Sequence, residues 1–331
     1  MVFVTGATGL LGSHLLCHLA KTEKDIIALK RKESRTDETM ALFSRYSDMP
    51  EFAEKRVRWV TGDVLDEETL IAYVKEAAVV YHCAAVVSFH GSDRDQLLET
   101  NIKGTEVICR LCLRFGVRLC FVSSIAALGD ARREGECIDE ETPVVPGSEH
   151  SLYSESKGIS EKIVWNFIHE GLNAVIVNPA VILGGGLRGR SSAQLMERAL
   201  RGMPVYTLGV NGYVDVRDVC VAMIALANHP AIRSERFVLC GGNYSYKHLF
   251  STIARVAGKR PPRVALYPWM TSVLWRVMAV LTLLQGSKPV FTRETARSSQ
   301  HRACFSSAKL LRVLPDFHFR SLEDTVAFFK E

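Results

Sequence analysis

The sequence predicts a doubly wound α/β fold, a parallel sheet with helices on both faces, joined to a smaller C-terminal part. Three observations predict it. Short β-rich apolar runs alternate with helical stretches through the first half of the chain, the pattern of strands joined by helical crossovers. A glycine-rich turn, Thr5-Gly6-Ala7-Thr8-Gly9-Leu10-Leu11-Gly12, stands between the first apolar run and the first helix. After about Pro179 the alternation gives way to an irregular, helix-rich pattern.

In order, Val2–Thr5 reads as a strand and Leu10–Lys21 as a helix. Asp25–Leu29, Val57–Thr61, Val79–Ala84 and Leu119–Ser123 read as further strands. Glu67–Glu76 and Thr105–Phe115 are amphipathic helices between them. Ser154–Glu170 reads as a long helix and Val175–Asn178 as another buried strand. Beyond these, Gly184, Gly185, Gly186 and Gly189 mark a loop, Phe237–Cys240 a strand and Tyr246–Ala257 a helix. Arg260-Pro261-Pro262 is a break and Ser321–Lys330 a final helix. The expected division is 1–180, with a returning segment near 211–230, and 181–331 as mainly substrate-binding. No Gly/Ser linker separates them.

Hydrophobic residues at 47% and charged residues at 23% of 331 support a sizeable core. The net charge of +5 reads as spread along the chain and gives no nucleic-acid footprint. Nine cysteines, scattered among apolar runs, suggest reduced thiols in the cytoplasm rather than a disulfide frame. Cys109 and Cys112 form a C-x-x-C inside a helical pattern with no second pair, so packing is expected. The start of the chain lacks the basic flank and cleavage site of a secretory signal. Trp269–Leu284 is apolar but short for a membrane span and carries Arg276. It reads as a buried or interfacial helix. Trp269, Met270, Leu274, Trp275, Met278 and Leu281 would serve as core or as an apolar wall, and contact with a membrane surface stays open.

The glycine turn carries the first functional signal. Gly6, Gly9 and Gly12 leave the backbone bare where a helix begins, so a pyrophosphate can rest on N–H groups at Thr8, Leu10 and Leu11. The spacing G-x-x-G-x-x-G is one residue wider at its start than the usual dinucleotide fingerprint. The second strand ends in Leu29-Lys30-Arg31-Lys32. An Arg there accommodates a ribose 2′-phosphate where an acid would hold a 2′-hydroxyl, so NADP is favoured over NAD, with Glu33 as the counter-argument. Tyr153 and Lys157 lie four apart in a helical stretch and share a face. An ammonium nearby makes a phenol a usable acid or base. Ser124 ends a strand, where its hydroxyl can hold a carbonyl oxygen.

Taken together, these segments resemble the extended branch of the short-chain dehydrogenase/reductase superfamily, the NAD(P)-dependent epimerase/dehydratase-like proteins. The resemblance spans nearly the whole chain. It rests on Thr5–Gly12, Gly62-Asp63-Val64, His82-Cys83-Ala84-Ala85, Asn101-x-x-Gly104-Thr105 and Val122-Ser123-Ser124, with the Tyr153–Lys157 pair and Asn178-Pro179-Ala180-Val181. It implies a Rossmann-type domain with Tyr153 as general acid/base, Lys157 on the nicotinamide ribose and Ser124 orienting the reacting oxygen. It further implies Asp63 and Val64 at the adenine, Ala84, Ala85 and Asn101 along the cofactor, and Pro179 and Val181 at the nicotinamide.

Ser124-Ile125-Ala126-Ala127 lacks the acidic pair of the sugar dehydratases in this family. Gly212-Tyr213-Val214-Asp215-Val216-Arg217-Asp218-Val219 is similar to dihydroflavonol-reductase-like and hydroxysteroid-dehydrogenase-like members. The expected activity is NADPH-linked reduction of a ketone or aldehyde on a small, fairly apolar substrate. A nucleotide-sugar epimerase, with Asn178 and Arg188 or Arg190 at the diphosphate, is the alternative. A non-catalytic cofactor sensor or scaffold is the second, disfavoured because Ser124, Tyr153 and Lys157 are all kept. His14 and His18 have metal-pair spacing but no third ligand, so no metal is expected. His82 reads as packing and His90 as an open candidate. The Asn243-Tyr244-Ser245 sequon would go unused, and relatives suggest a homodimer.

Overall fold

The computed structural model describes the chain except residues 24, 47–50, 52–53, 89–92, 132, 134, 145–150, 186–191, 285–290 and 331, and the side chains of 192–195, 280 and 283–284. His90, Arg188 and Arg190 therefore lie outside the described residues.

The strands in chain order are β1 (Val2–Thr5), β2 (Ile26–Lys30), β3 (Val57–Thr61), β4 (Val79–His82), β5 (Arg118–Val122), β6 (Cys137–Ile138) and β7 (Ala174–Pro179). Then come β8 (Val181–Leu183), β9 (Val205–Thr207), β10 (Val210–Asp215), β11 (Glu235–Leu239), β12 (Gly242–Ser245), β13 (Val264–Leu266) and β14 (Cys304–Phe305). Seven of them form one parallel sheet in the order β11-β7-β5-β4-β1-β2-β3. The order reverses between β1 and β4. Such a switch point opens a crevice at the carboxyl ends of the strands, where ligands bind in this architecture.

The strands alternate their side chains between two apolar layers. Val2 and Val4 face one layer with Leu15, Leu16 and Leu19 of the helix Leu10–Thr22 and Val219 and Met223 of the helix Val216–Asn228. Phe3 faces the other with Ile108 and Leu111 of the helix Gly104–Phe115 and Val164 of the helix Leu152–His169. Each of these buried side chains contributes roughly 1.5–3 kcal/mol, enough to fix the register and, with it, the strand ends. The helix Val216–Asn228 packs beside the first helix in the same apolar layer of the sheet. β11 also joins the main sheet, so the two halves of the chain interleave.

Two expectations need correction. Cys137 and Cys304 form a disulfide across the paired strands β6 and β14. Their separation of 167 residues gives no sequence signal, whereas the pairing brings their Cα atoms to 4.4 Å. The other seven cysteines are free, and Cys109 and Cys112 are fully buried in the core, as the helical pattern implied. The helix Pro268–Leu284 is not a core helix: Trp269, Val273, Leu274, Val277 and Leu281 are exposed. Among the described residues no helix is long and apolar enough to cross a membrane.

Candidate active site

The site residues gather because consecutive neighbours in the sheet end at one rim. β1 releases the chain into Gly6, which takes the left-handed conformation (φ +65°) that side chains rarely adopt. A Cβ there would stand 2.6 Å from the Ala84 nitrogen beyond β4. A Cβ at Gly12 would strike the Gly6 carbonyl. Gly9 closes the turn by donating to the Gly6 carbonyl at 2.9 Å and caps the helix Leu10–Thr22 with no side chain. The first N–H groups of that helix, beyond Thr8 and including Leu10 and Leu11, have no intrahelical acceptor, and no acidic residue sits in its first turn. This bare cradle fits a pyrophosphate.

Arg31 follows β2 and pairs with Asp63 beyond β3, Nε to Oδ2 at 3.2 Å, while donating to Thr100 Oγ1 at 3.2 Å. Both partners are nearly half exposed, so the guanidinium and the carboxylate share one open edge. Val64 is buried against Gly104, whose own Cβ would come within 2.7 Å of it. Asp63 is thus the exposed member of that pair.

Beyond β4 the backbone is held by a chain of buried hydrogen bonds. Thr5 Oγ1 meets His82 Nδ1 at 2.7 Å, and His82 Nε2 meets Thr105 Oγ1 at 3.2 Å. Ala84 donates to Thr5 Oγ1 at 3.3 Å, which fixes the start of the Ala84-Ala85 segment. Asn101, in a single π turn, accepts from the Val86 nitrogen at 2.7 Å and donates to the Val86 carbonyl and to Ser156 Oγ, both at 3.0 Å. It therefore ties the strand end to the helix Leu152–His169. Packing explains His82, whose imidazole is pushed down to about 3, first by burial and then by Lys157.

His14 is likewise a packing residue. Its Nε2 meets the Gly185 carbonyl at 2.8 Å and its Nδ1 the Tyr46 hydroxyl, and burial lowers it to about 4. Among the described residues no group of three His, Cys, Asp or Glu side chains could hold a metal. These two imidazoles stay neutral in the fold, while unfolded histidine takes a proton below about pH 6.5. Their contribution is complete above that pH and is lost as pH falls toward 4 for His14 and 3 for His82. Urea unfolding at pH 5 should therefore show each costing about 2 kcal/mol relative to pH 7. A smaller acid loss in His82→Gln would agree; an unchanged one would contradict.

Ser124 follows β5, and its hydroxyl accepts from the Ala126 nitrogen at 3.1 Å. It also shares a hydrogen bond with the Tyr153 phenol. Burial raises that phenol above its usual value, and the Ser124 bond draws it partway back. Lys157, one helical turn on, is buried, and its Nζ donates to the Val122 carbonyl at 2.8 Å. Burial lowers its ammonium to about 8, opposed by Cys83 and Glu161. The structure thus brings Ser124, Tyr153 and Lys157 together at the β5 end, facing the segment after β4. Pro179 ends β7 in a buried position, and Val181, half-buried, starts β8.

Sequence reasoning missed the support beneath them. Glu161, another turn beyond Lys157 and buried, accepts from Ser123 Oγ at 2.5 Å and Asn178 Nδ2 at 2.7 Å. Arg236 of β11 pairs with it at 3.1 Å and donates through Nε to the Glu140 carbonyl at 2.9 Å. Asn178 Nδ2 also reaches the Ser124 carbonyl at 3.0 Å. The spacing Tyr153, Lys157, Glu161 at i, i+4, i+8 was the available signal. Asn178 is fully buried, with its Nδ2 spent on Ser124 and Glu161.

Residues 2–241 match the NAD dependent epimerase/dehydratase family. The chain belongs to that family. It is an enzyme, an NAD(P)-dependent oxidoreductase of the extended short-chain dehydrogenase/reductase type. It is 28% identical to sterol demethylase protein B of Methylococcus capsulatus over 99% of this chain and 98% of the relative. It is 26% identical to a putative dihydroflavonol 4-reductase of Synechocystis, over 94% and 88%. The crystal structure of gox2253 superposes with a TM-score of 0.81 at 29% identity, covering 100% of this chain and 96% of that one.

Proposed function

We propose that this enzyme reduces a ketone or aldehyde on a small, apolar substrate with NADPH, and that Ser124, Tyr153 and Lys157 are its catalytic residues. The observation that carries the reading is the Tyr153 phenol, kept protonated by burial and hydrogen-bonded to Ser124, one helical turn from a buried ammonium. The Ser124 hydroxyl holds the substrate oxygen, and Tyr153 gives that oxygen its proton. Lys157, at about 8, is still mostly charged at neutral pH and stabilises the phenolate left behind. When bound, NADPH supplies hydride from its nicotinamide C4. Gly6, Thr8, Gly9, Leu10, Leu11 and Gly12 would hold the pyrophosphate, with Asp63 and Val64 toward the adenine. Ala84, Ala85, Asn101, Pro179 and Val181 would line the remainder.

The names of the two relatives, a sterol demethylase protein and a dihydroflavonol reductase, support an apolar carbonyl substrate over a nucleotide sugar. A screen of carbonyl compounds and nucleotide sugars tests the reading. Net NADPH oxidation with a ketone or aldehyde supports it, and sugar isomers formed without net redox change would replace it with epimerisation. The 1–180 and 181–331 division, a homodimer and a cytoplasmic location belong to the same proposal.

Arg31 supports NADPH over NADH because a guanidinium at the β2 end suits a 2′-phosphate. In fluorescence titration NADPH should bind at least about ten-fold more tightly than NADH, the worth of one charge-assisted contact. Arg31→Ser should erase the gap. Equal affinities in the unaltered enzyme would refute the assignment.

A further inference from the structure

The helix Pro268–Leu284 turns apolar side chains outward. Its inward side holds Thr271 and Thr282, both buried, while Trp269, Val273, Val277 and Leu281 succeed one another at intervals of four residues on its outward side. Trp269 is 68% exposed, and Tyr267 and Val264 extend the patch at the N-terminal end of the helix. Residues four apart lie on one helical face, so these side chains form a continuous apolar stripe rather than scattered contacts. Such a stripe on a folded chain marks a surface that something covers.

The charges around it say what. The cations, read above as spread along the chain, are dense in this part of the sequence. From Arg236 to Arg293 the sequence holds nine Lys and Arg and no Asp or Glu, although Arg236 is turned in on Glu161 and Arg255 is paired with Glu323. Lys259, Arg260 and Arg263 are exposed just before the stripe. Arg276 is exposed on the helix itself, bonded back to Ser272 and stacked over Trp275 at 4.7 Å. A second copy of this chain would bring the same cations against them. An anionic lipid surface neutralises them, takes the apolar side chains into its acyl boundary, and suits a Trp and a Tyr at its polar level.

We propose that the outward face of Pro268–Leu284 docks the enzyme on the surface of an anionic phospholipid bilayer, without crossing it. The docked helix is joined by a chain of contacts to the helix that carries Tyr153. Its Thr271 receives a hydrogen bond from Gln300, and it packs on the helix Arg293–Ser298. Glu294 of that helix bonds to Ser151, the cap of the helix that carries Tyr153. The docking goes beyond the carbonyl-reductase reading and does not depend on it.

The test is co-sedimentation of the full chain, without cofactor or substrate, with vesicles of phosphatidylcholine alone or mixed with phosphatidylglycerol. Binding to the anionic vesicles should be at least about ten-fold tighter, weaken with salt and shift tryptophan emission to the blue. Val273→Glu with Val277→Glu should cut it at least about ten-fold while NADPH affinity and thermal unfolding stay unchanged. If that variant fails to fold, Arg260→Gln with Arg263→Gln serves instead, each change costing about five-fold. Equal binding to both vesicles, undiminished binding by folded variants, or a dimer that the glutamates split would overturn the proposal. Failure of the carbonyl screen would leave the vesicle result standing.

Discussion

Tyr153→Phe should fold, bind NADPH with an affinity within about two-fold of the unaltered enzyme, and lose turnover by roughly 10²–10⁴, the range of a positioned proton donor. The substitution removes one oxygen from a half-buried ring, so packing survives. What disappears is the proton source and the bond with Ser124. The loss should fall on kcat, because the phenol acts on charge that develops only as hydride arrives. Stopped-flow turnover and cofactor titration on one preparation separate the terms. Retained turnover would remove Tyr153 from the mechanism, and lost cofactor affinity would make it a structural residue.

Arg236→Met should be the most destabilising substitution around the site, by roughly 3–5 kcal/mol. Arg236 is the cation facing the buried Glu161 carboxylate, which also accepts from Ser123 and Asn178. With it gone, a buried carboxylate loses the one cation paired with it directly and keeps only the more distant Lys157 ammonium. Glu161→Gln should cost less, since the amide keeps an acceptor and the guanidinium left behind is partly exposed and still bonded to the Glu140 carbonyl. Glu161 acts through Asn178 and Ser123 on the Ser124 backbone, so Glu161→Gln should lower kcat several-fold with KM little changed. Chemical unfolding and steady-state kinetics measure both. Unfolding of Arg236→Met at the unaltered denaturant concentration would show the pair to be dispensable.

Local features of the chain were readable in advance. Alternating apolar runs located every strand of the main sheet to within a residue or two, because buried parallel strands need continuous apolar character. The glycine turn was legible for a stricter reason: Gly6 and Gly12 stand where a Cβ would meet backbone. Contacts between distant segments were not. Cys137 and Cys304, or Arg236 and Glu161, meet only when the sheet order sets them side by side. Whether the helix Pro268–Leu284 was core or interfacial stayed open because apolar composition measures how much surface wants cover. It does not say whether the cover comes from this chain.

The central claim is that the phenol of Tyr153, the hydroxyl of Ser124 and the ammonium of Lys157 surround the reacting end of a dinucleotide seated on the glycine turn. A crystal structure with NADP⁺ bound tests it most directly. The account predicts the pyrophosphate on the N–H groups that follow Gly9, the Lys157 ammonium released from the Val122 carbonyl toward the nicotinamide ribose, and the Tyr153 hydroxyl still bonded to Ser124. A cofactor bound elsewhere, or a Tyr153 ring turned out of the crevice, would contradict it.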